Sequence, residues 1–140
     1  MWAVRRFRQT RYGSQLRGHF AWLTPKKILI VEDDSNAREA LSEILQIEGY
    51  RTFKARNGRE ALAKLIRNPD LILLDLRMPE MDGRQFLARK KETPAAETPV
   101  IVVTASDASD LEEPHLQKPI DLEHLLNVIA ETVRKESQGN

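Results

Sequence analysis

The sequence predicts an α/β protein built on a parallel sheet. From Lys26 onward, short apolar runs alternate with segments of helical periodicity. The runs Ile28–Val31, Leu71–Leu74 and Val100–Val103 show no polar alternation, as strands covered on both faces require. Each run then stops at a polar residue: Glu32, Asp75 and Thr104.

The elements follow in chain order. After the first strand, Ser35 is placed to cap a helix whose apolar positions are Ala37, Ala40, Leu41, Ile44 and Leu45. Gly49 is its stop signal. Arg51 to Ala55 reads as a weak strand. Asn57, with Glu60 three residues on, resembles a capping box for a helix that turns Ala61, Leu62, Leu65 and Ile66 inward. Asn68-Pro69 ends that helix. Beyond Asp75, a loop with Pro79 and Gly83 leads to a short helix around Phe86 and Leu87. A short fifth strand around Leu116 ends at Lys118-Pro119, where a cis bond would suit a tight turn. Asp121 then caps a final helix with Leu122, Leu125, Leu126, Ile129 and Val133 inward.

Length and composition bound the rest. A chain of 140 residues, 41% hydrophobic and 31% charged, is long enough to fold around one core without staples. Having no cysteine, it has no disulfide framework, thiolate metal site or cysteine nucleophile, and it fits a reducing cytosol. No apolar run approaches 18 residues, so no membrane span is expected, and the N-terminus lacks the apolar stretch of a cleavable signal.

The net charge of +1 hides a division. Residues 1–25 carry five arginines (Arg5, Arg6, Arg8, Arg11, Arg17) and no acid, with five of the eight aromatics. Residues 26–140 carry 17 bases against 21 acids. The chain therefore divides into a basic, aromatic extension over 1–25, expected to be disordered, a domain over 26–136, and a tail over 137–140. Arginines among aromatics can also bind phosphates and stack on bases, or lie on an anionic membrane. The lack of a clean helical period in the arm favours simple disorder. Trp22 or Phe20 could instead cover apolar surface left bare by a missing fourth helix. His19 has no ligand neighbours, and His124 is expected on the exposed side of the last helix.

In an open parallel sheet the carboxyl ends of all strands share one rim, where ligands bind. Glu32 and Asp33, Asp75, Thr104 and Lys118 therefore converge there. Any one acid after a strand is commonly just a helix cap. That explanation suits Asp34 or Ser35 but not Asp75, because Leu76-Arg77-Met78-Pro79 starts no helix. Three carboxylates within ~4 Å would repel by roughly 4 kcal/mol per pair at an effective dielectric of 20. A divalent cation relieves this, or one acid stays protonated. All available ligands are hard oxygens, so Mg2+ or Mn2+ is the natural ion. With Lys118 it cancels the three negative charges. A neutralised carboxylate between metal and ammonium is a plausible nucleophile for phosphoryl transfer.

These residues carry a resemblance. The segments Ile28-Leu-Ile-Val-Glu-Asp-Asp, Leu73-Leu-Asp-Leu-Arg-Met-Pro-Glu-Met-Asp-Gly83, Val103-Thr-Ala105 and Gln117-Lys-Pro119 together resemble a response-regulator receiver domain, over about residues 26–136. The resemblance implies a flavodoxin-like, doubly wound five-stranded sheet of order 2-1-3-4-5. It further implies that Asp75 is phosphorylated by a histidine kinase or a histidine phosphotransfer domain. Asp33, Asp75 and the backbone carbonyl of Arg77 would ligate Mg2+, with Glu32 acting through a bound water. Lys118 would contact the phosphoryl oxygens and Thr104 would supply the switch hydroxyl. The implied protein is a cytoplasmic, single-domain signalling protein that catalyses its own phosphorylation and dephosphorylation, and would touch nucleic acid only through the arm.

One departure stands out. Only ten residues, Ala105 to Pro114, join the fourth and fifth strands, too few for a full crossover helix. The fourth helix is therefore expected to be shortened or absent, which puts signalling through its face in doubt and makes a phosphate relay or sink plausible. His115 occupies the position of the family's switch aromatic, as a switch or as an inert packing residue. Other chemistries fit less well. A haloacid-dehalogenase-type phosphohydrolase needs a second aspartate where Arg77 stands, and a flavin or nucleotide binder would not place Glu32-Asp33-Asp34 in its phosphate loop.

Overall fold

The computed structural model describes residues 24–138. The arm, with His19, Phe20 and Trp22, lies outside the described residues, as do residues 139–140. Among the described residues there are five strands: β1 (Lys27–Val31), β2 (Arg51–Ala55), β3 (Leu71–Leu74), β4 (Val100–Thr104) and β5 (His115–Gln117). They pair entirely in parallel, in the order β2-β1-β3-β4-β5. This is the flavodoxin-like 2-1-3-4-5 order that the resemblance implies.

Strand residues alternate between two apolar layers, and the unbroken β1, β3 and β4 runs are buried because both layers exist. On one face Leu29, Val31, Ile72, Leu74, Val100 and Val102 meet α2 (Gly58–Lys64) and α3 (Gly83–Lys90). On the other, Ile28, Ile30, Leu71, Leu73, Ile101 and Val103 meet α1 (Ser35–Ile47) and α4 (Leu122–Gln138).

Several local expectations change. Asp34, extended at φ −76°, is the N-cap of α1 and Ser35 its first helical residue. The Asn57 side chain does accept the Glu60 N–H at 2.9 Å. Glu60 in turn bonds the Arg56 N–H rather than that of Asn57, so the box is displaced by one residue. The helix tightens at Leu65 into a 3₁₀ turn (Leu65–Arg67), and Ile66 rotates outward to 83% exposure. Asn68 closes that turn in the left-handed region at φ 55°. Leu122, at the first position of α4 with no preceding turn to cover it, is 39% exposed instead of inward. Asp121 caps α4 by accepting the His124 N–H at 3.2 Å. The Lys118-Pro119 bond is cis.

Between β4 and β5 the chain forms turns and bends with no helix. The segment is nonetheless anchored. Ala108, buried at 1% exposure, and Leu111 pack against the α2/α3 core. Arg84, on the first turn of α3, bonds both Asp110 carboxylate oxygens (2.7 and 3.0 Å) and the Asp107 carbonyl (2.9 Å). A plug of two apolar side chains and a bidentate ion pair stands where a helix would otherwise cover the core.

Ala108→Asp is expected to lower unfolding free energy by roughly 2–4 kcal/mol, because it places an unpaired charge in the apolar layer. Glu43→Gln, on the exposed middle of α1, should change it by less than about 0.5 kcal/mol. Urea denaturation of both variants checks this.

Candidate functional site

The strand register builds the site. Val31 and Leu74 are paired, so Glu32 and Asp75 leave neighbouring strands side by side. Each is held by a last bond to the adjacent strand: Glu32 N–H to the Ala55 carbonyl and Asp75 N–H to the Val31 carbonyl, both at 3.0 Å. Carboxylate oxygens of Glu32, Asp33 and Asp75 come within 4.8 Å of one another. Glu32 and Asp75 are buried while Asp33 is exposed.

Lys118 reaches the cluster from beyond β5. Its ammonium donates to Glu32 Oε1 at 2.7 Å and Asp75 Oδ2 at 3.1 Å. Its backbone N–H donates to the Thr104 carbonyl at 3.0 Å, which fixes the loop after β5 against the end of β4. The other Glu32 oxygen accepts the Asp34 N–H at 3.1 Å, and Asp75 Oδ1 accepts the Arg77 N–H at 3.3 Å. Thr104 is buried at the end of β4, and its Oγ1 accepts the Ser106 N–H at 3.2 Å. His115 does not join the cluster; it is exposed at the start of β5, paired with Val102 below the rim.

The charge balance of this arrangement is incomplete. Three carboxylates face one ammonium, and among the described residues Asp33 has no hydrogen-bond or ion-pair partner for its carboxylate. At under 5 Å each carboxylate pair repels by roughly 3–4 kcal/mol at an effective dielectric of 20. An exposed, unpartnered oxygen ligand beside two buried ones fits a hard divalent cation, which would cancel the two remaining negative charges. Asp33 also lines an open cleft of about 460 Å³ with Leu76, Arg77, Met78, Pro79 and Asp82.

Burial drives the Glu32 carboxyl above its ordinary range, and the hydrogen bonds from Lys118 and the Asp34 N–H oppose this without cancelling it. For Lys118, burial is the largest single influence and acts downward, but its bonds to Glu32 and Asp75 together lift the ammonium above its usual value.

Two residues take supporting roles that the motifs do not assign. Arg38, on α1, donates to the carbonyls of Glu32 (2.8 Å) and Asp33 (3.3 Å), tying down the loop that carries both acids. Gly83 lies against the phosphoacceptor candidate itself: a Cβ there would sit 2.6 Å from the Asp75 carbonyl oxygen and 2.8 Å from Leu76 Cα. Its position just after Asp82, which forms a capping box with Gln85, was the available signal.

Three comparisons bear on the site. A family model described as response regulator receiver domain matches residues 28–130. The chain is 36% identical over 113 residues to Sporulation initiation phosphotransferase F of Bacillus subtilis (strain 168), covering 74% of this chain and 90% of that protein. It is 41% identical over 125 residues to the Positive alginate biosynthesis regulatory protein of Pseudomonas aeruginosa, covering 81% of this chain but only 48% of that longer protein. Among solved structures it resembles the response regulator protein TrrA of Thermotoga maritima, in complex with Mg(2+)-BeF. The TM-score is 0.70 and the identity 33%, covering 76% of this chain and 98% of that one. It also resembles a CheY-like receiver domain protein of Methanospirillum hungatei JF-1, with a TM-score of 0.74 and 28% identity, covering 84% and 100%.

Two outcomes follow from this geometry. Gly83→Ala should cost about 1–3 kcal/mol by overpacking against the β3 exit, measured by urea denaturation. Without metal, the folded chain binds the Glu32 proton more tightly than the unfolded chain does. Stability should therefore fall as pH rises from the ordinary carboxyl value of 4.5 through the raised folded value. Glu32→Gln should flatten that slope in denaturation curves taken in a chelating buffer.

Proposed function

This chain belongs to the response regulator receiver domain family, and from that premise we propose that Asp75 is its phosphoacceptor. It takes a phosphoryl group from a histidine kinase or a histidine phosphotransfer domain and passes the signal by protein contact or along a phosphorelay. The observation that carries this assignment is the Asp75 carboxylate, buried at a strand end, ion-paired to Lys118 at 3.1 Å and clustered with two further acids. The receiver unit is residues 26–136, with the basic arm outside it.

Asp33, Asp75 and the backbone carbonyl of Arg77 would hold Mg2+, or Mn2+ in its place, with Glu32 acting through a bound water. The exposed Asp33 carboxylate, without a partner among the described residues, supports its direct role. When bound, the cation neutralises charge on the acids and on the incoming phosphoryl oxygens. In the transfer, an Asp75 oxygen attacks phosphorus, the bond to the donor imidazole nitrogen breaks, and an acyl phosphate forms. Lys118 loses its direct ion pair with the attacked carboxylate and takes up phosphoryl oxygens instead. The exchange of one negative charge for about two is the event the protein reads.

Thr104 is the switch hydroxyl: moving it onto the phosphoryl group gives up the Ser106 N–H bond at 3.2 Å and so releases the start of the β4–β5 connection. His115, exposed on β5, is the switch residue on the far side of that connection. The domain also catalyses its own dephosphorylation, and works in the cytoplasm. Among the described residues no helix is long and apolar enough to cross a membrane.

Incubation with acetyl phosphate and Mg2+ should add one acid-stable, base-labile phosphoryl group, seen by intact mass. Asp75→Asn should abolish it, and label persisting on that variant would assign the acceptor elsewhere. Asp33→Ala should leave Asp75 in place yet weaken Mg2+ binding by at least about tenfold in titration calorimetry.

A further inference from the structure

Charge on the domain is segregated in a way the phosphoacceptor rim does not explain. Residues 51–67 hold six bases and one acid, whereas the rest of residues 26–140 holds 11 bases against 20 acids. This basic stretch folds as β2, the edge strand of the sheet, followed by α2 and the 3₁₀ turn.

Half of these bases are already satisfied. Lys54 pairs with Glu39 and Arg56 with Glu60, each at 2.9 Å, and Lys64 donates to the Lys54 carbonyl. Arg51, Arg59 and Arg67 are exposed, and no described carboxylate lies within 4.0 Å of their side-chain nitrogens. Arg51 and Arg67 share one aromatic ring: their guanidinium carbons stand 5.8 and 4.4 Å from the centre of Phe53. The ring stiffens both side chains by cation–π attraction while the two like charges repel. A carboxylate set between them would relieve that repulsion and gain charge-assisted bonds from side chains whose freedom is already reduced. Beside Arg67, Ile66 is 83% exposed.

We infer that this flank is a docking surface for an acidic protein segment that carries an aliphatic side chain. Arg51 and Arg67 receive its carboxylates, and Ile66 supplies the apolar contact. Other occupants fit less well. The chain's own arm, with five arginines and no acid in residues 1–25, lacks the carboxylates this flank would bind. Strand addition is hindered, because Lys64 covers the Lys54 carbonyl and Glu60 covers the Arg56 N–H on the β2 edge. Nucleic acid would use aromatic faces as stacking platforms, and the Phe53 ring already carries two guanidiniums. Recognition here is therefore through side chains, on an edge distinct from the rim that holds Asp75.

The test is residue-resolved amide NMR of the full chain, titrated with a synthetic 12-residue peptide of glutamate and leucine at low salt. Because the arm is itself basic, the readout is the shift of amides within residues 51–67 and not total binding. Saturable shifts are expected there, and Arg51→Glu with Arg67→Glu should raise the apparent Kd reported by those amides at least tenfold. The control pair Lys91→Glu with Lys135→Glu, of equal charge change on other faces, should alter it less than twofold. Ile66→Ser should weaken the peptide but not an all-glutamate peptide of the same length. Shifts confined to the arm, equal loss in the control pair, or larger shifts within 51–67 from duplex DNA or anionic vesicles would each overturn the inference.

Discussion

Among the described residues Lys118 supplies the one positive charge inside a cluster of three carboxylates, and the organisation of the rim depends on it. Its ammonium bridges Glu32 and Asp75, which lie 86 and 43 residues away in sequence. Without it, two buried acids on adjacent strands would face each other with only backbone N–H groups as counterweights. The bridge satisfies part of the charge and leaves Asp33 exposed and unpartnered among the described residues, so the cluster is stable enough to fold yet short of neutral. That residual deficit makes the site receptive to a cation and, through it, to a phosphoryl group.

Delivery of Lys118 requires β5 to lie beside β4, and the chain manages this crossing with ten residues and no helix. The cost of omitting a helix is an uncovered stretch of the α2/α3 core. Ala108 and Leu111 fill it, and Arg84 pins the segment by three hydrogen bonds to Asp107 and Asp110. Arg84 directly follows Gly83, whose backbone packs against the Asp75 carbonyl. The acid, the glycine, the arginine and the connection therefore form one contiguous set of contacts. A displacement of Thr104 at the head of the connection would be felt at a segment held by a few polar bonds, rather than by a whole helix packed on the sheet.

The two edges of the sheet differ in character. The β5 edge is three residues long and borders the acidic connection, while the β2 edge is basic and carries the Arg51–Phe53–Arg67 stack. The acid cluster sits on the rim between them. The receiver fold thus separates its chemistry from at least one flank whose charge is free to recognise a partner.

Much of this was legible in the residues alone. Unbroken apolar runs predict doubly covered parallel strands, and parallel strands must bring their terminal polar residues to a common rim; hence Glu32, Asp33, Asp75, Thr104 and Lys118 could be grouped before any coordinates. The ten-residue spacing likewise forbade a full fourth helix, because it is a limit on chain length. Tertiary structure decided what depends on rotation and on contact between distant segments. Ile66 left the core because a 3₁₀ turn changes the angle per residue, and Leu122 because no turn precedes it. Arg38, Gly83 and Ala108 gained their roles from neighbours that sequence spacing does not reveal. Periodicity and chain length are local properties written along the sequence, whereas which carbonyl an arginine meets, or which backbone a missing Cβ allows to approach, is settled only when the layers pack.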